Sequence, residues 1–228
     1  MTRGGGGRRA PRNRTLPQPS GDPKLRLTTG ACWILGRDLT SAEQTAFETY
    51  IGLLAAWQRV YRLVGSADPG WVVDELILDS LLFGPFLPST ATRVLDLGSG
   101  AGIPGIPLKI VSPALRFTLL DARRRRASFL ATVVRELGLS DTEVIPHRSE
   151  EALARRPELR AGFDAVVTRC AGGLASVALS ATPFLAPGGR LIGSGPPEPG
   201  LIHGPGQWVT VRHPFKERPR TLFILDSQ

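Results

Sequence analysis

A chain of 228 residues, 42% hydrophobic and 21% charged, has the make-up of one ordinary globular domain with an appendage, which excludes fibrous and wholly disordered classes. The net charge of +8 is unevenly placed: residues 1–30 hold seven cations against Asp22 alone, leaving about +2 for the remainder. No run approaches the ~18 apolar residues of a membrane span, and Cys32 and Cys170 form no ligand spacing with the three histidines; the expectation is no membrane, no metal and a reducing cytoplasm.

Residues 1–24 are mostly Gly, Arg and Pro and predict disorder, within a basic tail bounded at 1–30. That tail reads either as an RNA-grasping arm or as a dispensable start. A helical N-terminal cap is expected over 31–88. In it, "LTSAEQTAFETYIGLLAAWQRVYRLV" opens with a cap-like Thr40 or Ser41 and repeats Phe47, Tyr50, Ile51, Leu54, Trp57 and Tyr61 at steps of three and four. This aromatic stripe reads as core. A second helix is predicted over "WVVDELILDSLLFGPFL", closed by Pro85 and Pro88.

From 89 to 228 short apolar runs alternate with helical ones. "TRVLDLG", "RFTLLD", "TEVIPH", "FDAVVTR" and "GRLIGSG" read as strands, with helices between them. "QWVTVRHPF" and "RPRTLFILD" follow as two strands with no helix between. The fold class is therefore α/β: a Rossmann-like, mostly parallel seven-stranded sheet of the class I methyltransferase type with a helical N-terminal extension.

Gly100, Gly102 and Gly105 satisfy G-x-G-x-x-G after the first strand, so a nicotinamide enzyme has to be weighed. Two details oppose it. Asp96 sits at the strand end, where it would repel a diphosphate, and Pro104 offers no amide to one. S-adenosyl-L-methionine has a cationic amino-acid tail and no phosphate. Asp96 can orient its ammonium, directly or through water, along a backbone opened by Gly98, Gly100 and Gly102. Asp121 ends the second strand, where either cofactor class would place ribose hydroxyls; its alternative reading is a helix N-cap.

"LDLGSGAGIPGIPLKI", "FTLLDARRRRASFL", "HRSEE" and "FDAVVTRCA" together resemble the bacterial 16S rRNA guanine-N7 methyltransferase family, also called glucose-inhibited division protein B. The resemblance covers roughly residues 45–195. It implies S-adenosyl-L-methionine as cofactor and 16S rRNA or the small ribosomal subunit as partner. By matching motif it implies cofactor contacts at Gly98, Ile103, Ser149, Glu150 and Arg169. Arg169, where acceptor meets methyl group, is also the expected catalytic residue. "ILDSL" at 77–81 matches too, but the family's Arg-His before it is here Glu75-Leu76, and its Lys-Gly after the fifth strand is Ser194-Gly195. These departures fall on the acceptor side.

Guanine N7 carries a lone pair and no proton, so the absence of an obvious base fits that acceptor. Four consecutive arginines, Arg123–Arg126, point in different directions on a helix and cannot all face RNA. The expectation is an rRNA methyltransferase acting as a monomer. The alternatives are a same-fold enzyme for a small molecule or protein, and a non-catalytic RNA-binding assembly factor.

Overall fold

A computed structural model describes residues 15–18, 20–169, 173–195 and 206–228. The arginines up to Arg14, and with them the expected basic arm, lie outside the described residues, as do Cys170 and His203.

Helix α1 (Pro23–Leu35) starts inside the stretch assigned above to a disordered tail, so that boundary moves from residue 30 to about 22. The cause is local. Asp22 caps the helix by accepting from the Lys24 amide, Pro23 stands at the first turn, and Leu27, Ala31 and Ile34 recur on one buried face. Burying Leu27 and Ile34 contributes roughly 1.5–3 kcal/mol each, more than the propensity cost of Gly30 and two threonines. Helix α2 (Ser41–Gln58) has a reciprocal capping box: Thr40 Oγ1 accepts from the Glu43 amide, and Glu43 accepts from the Thr40 amide. Its Phe47, Tyr50 and Leu54 are core, as the stripe predicts.

The expected second helix forms as one continuous run with altered winding: α3 (Pro69–Trp71) passes through a π-helical stretch Val72–Leu78 into α4 (Asp79–Leu81) with helical dihedrals at both junctions. π turns are rare and recur at functional sites. Here the stretch buries Val72, Val73, Leu76, Ile77 and Leu78 while Asp74, Glu75 and the following Asp79 all find cations.

The sheet is built from β1 (Arg93–Leu97), β2 (Arg116–Leu120), β3 (Thr142–Ile145), β4 (Phe163–Arg169), β5 (Leu185–Ser194), β6 (Gln207–Val211) and β7 (Arg220–Asp226), in the order 3-2-1-4-5-7-6. The first five are parallel; β7 is antiparallel to both β5 and β6. β1 and β2 are buried at four of five positions, as strands covered on both faces must be. Helices α5 (Gly105–Val111), α6 (Arg124–Glu136), α7 (Ser149–Arg155) and α8 (Leu174–Ala181) make the crossovers. This is the expected α/β class I methyltransferase architecture. The strand order reverses between β1 and β4, which opens a crevice at their carboxyl ends.

Candidate active site

The turn after β1 is wound so that most of its own amides are used up. Gly98 and Ser99 donate to the Leu120 carbonyl (2.8 and 2.9 Å), Gly102 and Ile103 to that of Ser99 (2.7 and 2.9 Å), Gly100 to Asp121 Oδ2 (2.9 Å), and Gly105 to Asp96 Oδ2 (2.9 Å). Gly98, Gly100 and Gly102 all have positive φ. At Gly102 a methyl group would lie 2.4 Å from Ile106 Cγ1; at Gly105 it would lie 2.6 Å from Asp96 Oδ2. Helix α2 holds the turn from the other side, because the buried Tyr50 hydroxyl donates to the Ala101 carbonyl (2.6 Å).

Asp96 is fully buried beneath this turn. Its Oδ2 accepts from Ser99 Oγ (2.6 Å) and from Gly105, whereas Oδ1 has no hydrogen-bond partner among the described residues. Burial pushes its carboxyl up to about 7, against the pull of those two donors. A buried carboxylate oxygen without a donor costs about 1–3 kcal/mol or more, and a cation placed there would relieve it.

A cleft of about 500 Å³ runs over the carboxyl ends of β1, β2 and β4. It brings together Gly98, Asp121, Ser149, Glu150 and Arg169 from the residues named by sequence. Asp96, Gly100, Gly102 and Ile103 do not line it; Asp96 lies beneath the turn, and Gly100, Gly102 and Ile103 are the buried part of the turn that shapes its wall. Asp121 is not the helix cap: the N-cap of α6 is Arg123, and the Asp121 carboxylate accepts from the Arg123 and Gly100 amides. Arg126 reaches to within 3.5 Å of Asp121 Oδ2. Ser149 is likewise the first residue of α7 and not its cap, which is Arg148. Its exposed neighbour Glu150 bonds to its own amide and to Ser149, which together hold the carboxyl below the ordinary range. Thr168 Oγ1 ties β4 to the Leu97 carbonyl (2.8 Å).

The arginine run diverges, as helix geometry requires. Arg126 and the exposed Arg123 line the cleft, Arg125 lies over the Tyr61 ring at 5.3 Å, and Arg124 is exposed.

Arg169 ends β4 and stands between the cleft and a second cavity of about 360 Å³, lining both. Its Nη1 donates to the Glu75 carbonyl of the π-helical stretch (2.7 Å), and Nη2 lies 3.6 Å from Asp79 Oδ2. Asp79 also pairs with Arg220 (2.8 Å) and Lys216 (3.3 Å), and Glu75 with the same two cations (2.6 and 2.8 Å). Burial tends to raise the Glu75 carboxyl, but Lys216 and Arg220 outweigh it and hold it low. Next to this cluster, burial pushes the His213 imidazole down to about 4, with the Lys216 charge adding to the effect. Tyr50, Asp79 and Arg126 were not singled out from sequence. Their available signals were a hydroxyl in a buried aromatic stripe, a carboxylate inside the apolar run "LILDSLLF", and a position one turn beyond Asp121.

A family model described as "GidB: rRNA small subunit methyltransferase G" matches residues 43–196. Proteins named ribosomal RNA small subunit methyltransferase G from Alkalilimnicola ehrlichii and Burkholderia pseudomallei are 37% and 35% identical, over 76% and 78% of this chain and 76% and 77% of their own lengths. The protein of that name from Ectopseudomonas mendocina is 39% identical over 59% of this chain, which spans 61% of that relative's length. Among solved structures, cofactor-bound Rv0187 from MTB superposes with a TM-score of 0.53 at 17% identity, covering 81% of this chain and 91% of that one; that likeness concerns the fold.

Proposed function

Because this chain belongs to the rRNA small subunit methyltransferase G family, we propose that it transfers a methyl group from S-adenosyl-L-methionine to N7 of a guanine in small-subunit rRNA. The observation that carries this reading is the glycine turn. Its amides from Gly98 to Gly105 are largely committed to protein acceptors, so it has little to offer a pyrophosphate, while the Asp96 oxygen without a donor suits a cationic tail. That combination fits S-adenosylmethionine and opposes a nicotinamide dinucleotide.

Each residue then has a physical task. Asp96, in the layer beneath the turn, balances the ammonium charge electrostatically across the turn and not by direct contact. Asp121, whose oxygens each retain accepting capacity beyond their backbone donor, holds ribose hydroxyls at the end of β2. Ser149 and Glu150 meet the adenine edge. Bound at this site, the cofactor supplies an electrophilic methyl group whose bonding pair remains on sulfur. Arg169, fixed by the Glu75 carbonyl and Asp79, faces the acceptor and directs a guanidinium at guanine O6, leaving N7 to attack. No base is required, since N7 has no proton to lose. Alignment and electrostatics supply the rate.

The test is made in cells. A strain lacking its own enzyme of this family is given the chain, and its 16S rRNA is digested and compared with that of the parent. One additional N7-methylguanosine is the expected result. An unchanged digest with the protein folded and abundant would overturn the rRNA assignment.

A further inference from the structure

The acceptor side of the molecule carries cations at positions different from those the family resemblance implies. Where an arginine is expected this chain has Glu75, and where a lysine is expected it has Ser194. The region is nonetheless rich in positive charge, which arrives on the segment joining β6 to β7. Lys216 and Arg220 both pair with Glu75 and Asp79, and Arg169 is anchored from the same side. Lys216 and Arg220 are committed to carboxylates and form a rigid wall and not a free binding surface, while Arg169 is held in position by the Glu75 carbonyl and Asp79.

Arg218 differs. It is exposed, it lines the same cavity of about 360 Å³, and no carboxylate stands within ion-pair distance of it among the described residues. Its other walls include the buried Phe83 and Asp79, the partly exposed Arg169, Ser194 and Arg220, and the exposed Pro219. The cavity therefore has an accessible apolar surface at Pro219, a fixed guanidinium at its boundary with the cofactor cleft, and an unpaired guanidinium at its rim. A planar base with an anionic backbone matches that arrangement: the ring lies against the apolar wall, and the backbone phosphate meets the free fork.

We propose that this cavity is the acceptor-nucleotide subsite and that Arg218 holds the phosphodiester next to the methylated base. The inference rests on the reading of the chain as an RNA methyltransferase.

Arg218→Ala and Arg218→Lys test it in the full chain, with small subunits and free 16S rRNA lacking the modification as acceptors. For Arg218→Ala, KM for RNA should rise about tenfold while kcat and cofactor affinity change less than about twofold. In direct RNA binding without turnover, the slope of log affinity against log salt should flatten by about 0.7–0.9, the loss of one phosphate contact. Arg218→Lys should restore the salt slope and only part of the affinity, since the point charge returns without the fork. A merely structural role would shift the melting temperature and leave the slope unchanged. Wild-type KM and wild-type slope in Arg218→Ala would overturn the inference. If the unmodified protein labels no RNA at all while binding cofactor, the rRNA-acceptor reading on which the inference rests has failed, a result distinct from an active enzyme indifferent to Arg218.

Discussion

Asp96→Asn isolates the electrostatics of the glycine turn. The side chain is fully buried, one oxygen is doubly satisfied and the other has no donor, and burial raises the carboxyl from 3.8 to about 7. At about 1.4 kcal/mol per tenfold, that difference corresponds to roughly 4 kcal/mol lost when the folded protein must hold the anion. The unfolded chain releases this proton near pH 4 and the folded chain near pH 7. Between those values the native state binds more protons, so the contribution falls as pH rises; roughly 2–3 kcal/mol of it is lost between pH 5 and pH 7.5. His213 acts in the opposite sense. Its imidazole is lowered from 6.5 to about 4, so the unfolded state takes up the proton first and stability is lost as pH falls through that window. The two slopes nearly cancel in the wild type, and the comparison with Asp96→Asn separates them. Urea unfolding of the cofactor-free proteins at pH 5 and pH 7.5 is the assay. The stability of Asp96→Asn relative to wild type should improve by roughly 2–3 kcal/mol on going to the higher pH, and S-adenosylmethionine should stabilise the wild type far more than the variant. A stability difference independent of pH would refute the assignment of an orphaned, proton-holding carboxyl to this position.

Asp121→Ala removes the acceptor of the Gly100 and Arg123 amides; it should cost about 1–3 kcal/mol of stability and weaken cofactor binding at least tenfold by calorimetry, and unchanged affinity would sink its ribose role. Tyr50→Phe leaves the buried Ala101 carbonyl without its donor, with an expected loss of about 1–3 kcal/mol in denaturant titration and weaker cofactor binding; a neutral variant would mean that α2 does not brace the turn. Gly102→Ala combines a φ of +88° with a methyl group 2.4 Å from Ile106, so a loss of about 2–4 kcal/mol is expected, read from the urea midpoint, and a stability within experimental error of wild type would contradict the packing described. Asp79→Ala removes the buried carboxylate shared by Arg169, Arg220 and Lys216, leaving Glu75 as their remaining partner, and should cost about 3 kcal/mol in the same measurement; a loss under about 1 kcal/mol would show that the cluster is effectively solvated.

The sheet was legible because its strands are apolar runs cut at regular intervals by turn residues, and a strand buried on both faces leaves no other reading for "RVLDL" or "FDAVV". Helix α1 was not. Its apolar face is short, Gly30 and two threonines dilute it, and the arginine-rich composition before it suggests a tail; the face acquires meaning only by packing on the π-helical stretch. The π turns themselves have no sequence signature. They follow from a run in which buried apolar residues share a helix with three carboxylates that all find cations distant in the chain. The cleft residues Gly98, Asp121, Ser149, Glu150 and Arg169 were accessible because each sits at or just after a strand end, a place fixed by topology. The placement of Asp96 under the turn, outside the cleft lining, depends on φ angles at three glycines and on the Gly105 amide, details that spacing alone does not carry. The substitution of Glu75 for an expected arginine read as a lost acceptor group. Its partners Lys216 and Arg220 are about 140 residues away, and only the antiparallel return of β7 brings them together.

The central claim is that this chain moves a methyl group from S-adenosylmethionine to a guanine N7 of small-subunit rRNA. Its most direct test is transfer of labelled methyl from the cofactor to small subunits and free 16S rRNA from a strain lacking the modification, with the product mapped to a nucleotide. Label at N7 of a single guanine, abolished in Asp121→Ala, is the predicted result. Tight cofactor binding with no label in either RNA would contradict it and send the search to a different acceptor.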